Sequence, residues 1–281
     1  MKVKVFFIKK KIFSYFLILL YLTISCSNSK TKEDQIPVPE GYTLVWNDEF
    51  DYSGLPDDTK WGYDTGNHGW GNQELQNYVD NTLETASVAD GLLTITAFQL
   101  IRGQDKEFVS ARLVSRTKGD WLYGRIDVRA KLPKGRGTWP AIWMLPTDWE
   151  YGNWPRSGEI DIMEHVGYDQ GNIHGTVHTD AFNHTKGTQR GGSIMAPMAS
   201  EEFLVYSINW DAEKIDFYID NRLYFTFENT GKGFSEWPFD KRFHLILNIA
   251  VGGAWGGAQG VDESIFPQTM QIDYVRVFQL K

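Results

Sequence analysis

The sequence predicts an all-β protein, a sandwich of two antiparallel sheets. Three observations carry that expectation. Several segments alternate apolar and polar residues with the two-residue period of a half-buried strand. Clusters of Gly, Asn and Asp separate those segments. No stretch sustains helical periodicity, and no repeat of about 20 to 50 residues is present.

The elements follow in chain order. Residues 1–25 read as a leader: Lys2, Lys4, Lys9, Lys10 and Lys11 form a basic start, and Ile12–Ile24 is an apolar run too short for a comfortable membrane span. The run ends in Leu22-Thr23-Ile24-Ser25-Cys26, which resembles a bacterial lipoprotein box. Cys26 is the only cysteine, so no disulfide can form within the chain. Its place directly after the apolar run argues for lipidation over a buried or free thiol. Residues 26–40, polar and containing Pro37 and Pro39, read as a flexible tether. Residues 41–281 then suit one large domain rather than two. Within it, Ile126, Val128, Ala130 and Leu132 share one face of a strand. Lys214–Ile219 and Arg222–Phe227 flank Asp220-Asn221 as a hairpin. Phe243, Leu245, Leu247, Ile249 and Val251 oppose His244, Ile246, Asn248 and Ala250 on a further strand.

Charge excludes some functions. The leader carries five lysines and no acid, so its removal takes the net charge from −8 to −13. An acidic surface without a basic tract argues against nucleic acid and against anionic substrates, and a neutral polymer fits better. The Gly-rich run Gly252–Gly260 lacks the Lys-Ser/Thr and following helix of a phosphate loop.

The chemistry concentrates in Ser157-Gly158-Glu159-Ile160-Asp161-Ile162-Met163-Glu164-His165. Strand alternation puts Glu159 and Asp161 on one face and Ile160 and Ile162 on the other. In a regular strand Glu164 points the wrong way, and one extra residue, a β-bulge near Met163, returns it. Three acids so close repel each other and are costly to desolvate. Two carboxyls held together, one ionised and one protonated, are what cleavage of a glycosidic bond requires. The plain alternative is an edge strand that carries acids for solubility. All 11 tryptophans lie beyond the leader. Trp139 and Trp143 share a strand face, and Trp154 and Trp255 sit in Gly/Pro-rich loops, where aromatic rings can stack on sugar faces rather than fill a core. His174 and His178, four apart, offer a pair of metal ligands, but no third ligand is evident.

Glu-x-Asp-x-x-Glu, between Trp154-Pro155-Arg156-Ser157-Gly158 and His165-Val166-Gly167, resembles the signature of glycoside hydrolase family 16, in the bulged form of its laminarinase branch. Trp46–Phe50, Gly71–Gln76, Trp139–Pro146, Asn248–Gly253 and Asp273–Val277 match that branch in order, so the resemblance spans residues 41–281. It implies a jelly roll of two curved sheets with an open substrate groove, and endo cleavage of a polymer. It implies Glu159 as nucleophile, Glu164 as general acid/base and Asp161 between them, in a retaining mechanism with the carboxyls roughly 5–5.5 Å apart. Asn67, Arg112 and His178 match groove positions of the family, beside Trp139, Trp143, Trp154 and Trp255. The implied substrate is β-1,3-glucan, with mixed β-1,3/1,4-glucan as a further one. A marine galactan, or glycan binding without catalysis, are the competing readings, and the intact acid triad argues against the second. No cofactor is needed for catalysis. A structural calcium ion is implied at Glu49, the Gly91 carbonyl and Asp273. The expected setting is a bacterial cell envelope, with a monomeric chain that meets the membrane only through a lipid on Cys26, or is secreted if Cys26 stays unmodified.

Overall fold

The computed structural model describes residues 36–281, of which Val38–Lys281 forms one compact unit. The leader, Cys26 and most of the tether lie outside the described residues. Two sheets face each other, as alternation predicts. The outer one runs, in spatial order, through strands Arg222–Glu228, Lys214–Ile219, Leu204–Trp210, Gly124–Lys131, Gln268–Leu280, Leu92–Arg102, Asp105–Ser110 and Gln76–Tyr78. Tyr42–Asp48 adds to Gln268–Leu280, and Ala86–Ala89 to Leu92–Arg102. The inner one runs through Arg190–Met195, Asn172–His178, Glu159–Glu164, Thr138–Pro146, Phe243–Val251, Arg112–Val114 and Gly62–Tyr63, with Asp120–Trp121 also paired to Phe243–Val251. Among the described residues the helical elements are two single 3-10 turns, His184–Lys186 and Glu263–Ile265.

The core lies between the sheets. Ile126, Val128 and Ala130 are fully buried there, and Leu132 is buried just past its strand. The Asp220-Asn221 turn has positive φ at both residues, 47° and 64°, which gives the hairpin a twist that suits its strands. Phe243–Val251 is buried along its whole length. Its odd positions pack into the core, while Asn248 and Ala250 lie under the groove.

The bulge stands where the spacing puts it. Ile142 pairs with Met163 and Trp143 with Asp161, so Ile162 has no partner on that edge. Across the other edge Asp161 pairs with Thr176 and Glu164 with His174, so Ile162 and Met163 together oppose Gly175. Both bulge side chains enter the core, and Glu164 returns to the groove face. Gly175 leaves the room this needs: a Cβ there would lie 2.4 Å from the Tyr224 hydroxyl and 2.8 Å from Phe217 Cδ1. The Tyr224 hydroxyl, reaching in from the outer sheet, lies 3.5 Å from the Ile162 carbonyl oxygen in the bulge itself.

Candidate active site

The inner sheet carries a groove of about 870 Å³. Its lining gathers Arg112, Trp139, Trp143, Trp154, Glu159, Asp161, Glu164, His178 and Trp255 from segments spread over more than half of the chain. Asn67 is exposed and stands apart from that lining, whereas its neighbours His68 and Trp70 belong to it.

Each glutamate is held by an indole. Trp154 Nε1 donates to Glu159 Oε2 at 2.9 Å, and Trp139 Nε1 donates to Glu164 Oε1 at 3.1 Å. The Trp154 bond depends on the chain turning sharply into the strand. Gly158 makes that turn at φ 91°, with Pro238, Phe239 and Phe243 packed within about 3 Å of where a Cβ would sit. His178 pairs with Glu159 across the sheet, and its Nε2 lies 3.4 Å from Asp161 Oδ2 and 3.7 Å from Glu159 Oε1.

Burial and mutual repulsion set the charge of the cluster. Burial first, then Asp161, pushes the Glu159 carboxyl up to about 8, while His178, the Trp154 N–H and Arg112 pull it back. Burial also raises Asp161 to about 8, against a hydrogen bond with Glu159. Glu164 is pushed well above the usual carboxylate range by burial, with Asp161 and Glu159 adding like charge. Glu159 has His178, the Trp154 N–H and Arg112 to favour its charge, whereas Glu164 faces the like charge of both Asp161 and Glu159, so the cluster favours ionising Glu159 and leaving the proton on Glu164. That is one ionised and one protonated carboxyl on one strand face. Trp154→Phe tests the division. Losing the N–H raises Glu159, so the acidic limb of the pH profile of kcat/KM should move up by about one unit. An unmoved or lowered limb would show that Glu159 does not set it.

The floor was only partly legible in the sequence. Arg112 is buried with its guanidinium 4.6 Å from both the Trp70 and Trp143 ring centres, and its Nε is 3.5 Å from Asp64. Trp143 Nε1 donates to Asn248 Oδ1 at 2.7 Å, and Asn248 Nδ2 donates to the Tyr78 hydroxyl at 2.9 Å. Glu74 accepts from Gln76 and Asn72 and is raised by burial. Sequence reasoning singled out the segments holding Glu74 and Asn248 but not these side chains. Trp70, Tyr78 and His184 were missed altogether. His174 and His178 do not form a metal pair with each other; one stands opposite Glu164 and the other opposite Glu159.

Glu49, Gly91 and Asp273 lie outside the groove lining. Asp48 pairs with Val275 and Leu93 with Ile272, so Glu49 and Gly91 both approach the stretch of strand that holds Asp273. Two bonds of 2.9 and 2.7 Å tie Glu49 to Arg276, and Arg129 donates to Asp273 at 2.5 Å. A calcium ion at this place has to displace guanidinium groups from both acids.

An antiparallel sandwich whose aromatic groove buries two indole-bonded glutamates defines a glycosidase that works through paired carboxyls. The chain belongs to glycosyl hydrolases family 16, whose model matches residues 70–276. It is 54% identical over 269 residues to a "Beta-glucanase" of Rhodothermus marinus, covering 93% of each chain. The X-ray structure of the laminarinase from Rhodothermus marinus superposes with a TM-score of 0.83 at 54% identity, over 85% of this chain and 98% of that one. SCLam, a non-specific endo-β-1,3(4)-glucanase of the same family, gives 0.82 at 43% identity, over 88% and 94%.

Proposed function

We propose that this protein is a retaining endo-β-1,3-glucanase that hydrolyses laminarin and also cuts mixed β-1,3/1,4-glucan. The observation that carries the reading is the pairing of Glu159 and Glu164 on one bulged strand, each oriented by its own tryptophan. The names of the similar glucanases support the substrate. Glu159 attacks the anomeric carbon while Glu164 gives its proton to the leaving oxygen, forming a covalent glycosyl-enzyme. Glu164, now ionised, takes a proton from water, which displaces Glu159 with overall retention. Reducing-sugar release from laminarin, barley β-glucan, agarose and carrageenan tests the choice. Release from laminarin and β-glucan is expected. Release from agarose or carrageenan alone would move the chemistry to a galactan, and tight binding with no release would make the protein a glycan binder.

Two further proposals concern the rest of the chain. Cys26 is lipidated and anchors a monomeric enzyme to the cell envelope through the tether. Cys26→Ala should release the protein from the membrane fraction, and wild-type protein found soluble with a free Cys26 thiol would refute the anchor. A calcium ion ties Glu49, Gly91 and Asp273 near the two ends of the domain, in competition with Arg276 and Arg129. Excess calcium should then raise the melting temperature and a chelator lower it. Identical melts would leave the Arg276–Glu49 pair as the whole of that site.

A further inference from the structure

The nucleophile end of the acid cluster has a second property that hydrolysis does not use. Glu159, Asp161 and His178 each offer one ligand atom, and these atoms lie within 4.8 Å of one another. Asp161 is only 2% exposed, yet its Oδ2 has no hydrogen-bond partner and points at His178 Nε2, 3.4 Å away. The Trp154 N–H occupies the other Glu159 oxygen, Oε2, which leaves Oε1 facing His178 at 3.7 Å. One imidazole and two carboxylates are a donor set for a borderline divalent ion of the zinc class. With metal–ligand bonds of about 2.0–2.1 Å, a tetrahedral ion holds its ligand atoms roughly 3.4 Å apart. The Asp161–His178 edge already has that length, and the Glu159–His178 edge needs a shift of a few tenths of an ångström. A dication would also offset the like-charge repulsion between the two acids and the cost of burying their charges.

We propose that Glu159, Asp161 and His178 form an inhibitory site for Zn²⁺ or a similar transition-metal ion, with the fourth coordination position open to the groove. Mg²⁺ and Ca²⁺ do not suit it, because they require six or more oxygen-type ligands and disfavour imidazole. The bound ion engages the lone pair with which Glu159 would attack and stands where the sugar ring must sit, so metal and substrate exclude each other. The metal site itself is independent of the glycosidase reading; the inhibition rests on it.

The two halves are tested separately. Calorimetric titration of the full chain with ZnCl₂ should show one ion per chain, while CaCl₂ in the same titration should give no heat from this site. His178→Gln should weaken zinc binding at least tenfold, and Asp161→Asn should do the same, so the test survives if one variant fails to fold. No zinc binding, or unchanged affinity in both variants, would overturn the site. In assays on laminarin, zinc should raise apparent KM and leave kcat unaltered. Zinc that binds as described but leaves KM untouched would overturn the inhibition and keep the metal site. A chain that binds zinc but cleaves no polysaccharide would count against the glycosidase reading instead.

Discussion

Glu159→Ser and Glu164→Ser are each expected to fold and to lose hydrolysis by a factor on the order of 10²–10⁴. The two losses should differ in kind. Glu159→Ser opens a space beside the Trp154 N–H and His178 while Glu164 still holds its proton. A small anion such as azide can enter that space and attack the anomeric carbon, so azide should restore part of the activity and give a glycosyl azide of inverted configuration. Glu164→Ser leaves the nucleophile in place, so its loss should be smallest on substrates whose leaving group needs no proton. Stability offers a second reading of the same residues. Glu159 is raised in the folded state to about 8, above its value of about 4.3 in an unfolded chain. The folded state therefore binds protons that the unfolded state has released, and stability falls as pH rises between those two values. Glu164 acts in the same direction, and Glu164→Gln should flatten the fall. Full activity in either serine variant would end the assignment of roles.

Moving the bulge should have the next largest effect. Ile162 and Met163 both fill core positions opposite the single residue Gly175. Deleting Met163 leaves Glu-Ile-Asp-Ile-Glu, in which all three acids alternate onto the groove face without a bulge and every later residue keeps its facing. The lost side chain should cost about 2–5 kcal/mol, seen as a lower melting temperature. The shortened strand should keep detectable activity, weakened because the carboxyls shift by fractions of an ångström. Met163→Gln preserves the bulge, and its effect on activity should be milder still. Inserting one residue beside Met163 should abolish activity, because Glu164 then turns into the core. Circular dichroism melts with the laminarin assay read both outcomes. A folded but wholly inactive deletion, together with an active insertion, would show that the register is wrong.

Whatever depends on a period of two is legible in the chain alone. Alternation places Ile126, Val128 and Ala130 in the core. It separates the odd positions of Phe243–Val251 from Asn248 and Ala250, and the acid spacing alone locates the bulge that strand pairing shows. Loop composition set Trp154 and Trp255 in the groove. These are local properties, since the direction of a side chain follows from its own strand. Which side chains meet depends on how distant strands pack together. Asn248 reaches the Tyr78 hydroxyl from 170 residues away, and Arg112 lies between Trp70 and Trp143. Neither contact leaves a mark in the spacing of its own segment. The pair His174 and His178 shows the limit most plainly. Their i, i+4 spacing offers a pair of metal ligands on one strand face, without a third. Strand pairing instead sets His178 against Glu159 and His174 against Glu164, because a residue in a sheet finds its partners across hydrogen-bonded strands rather than along its own.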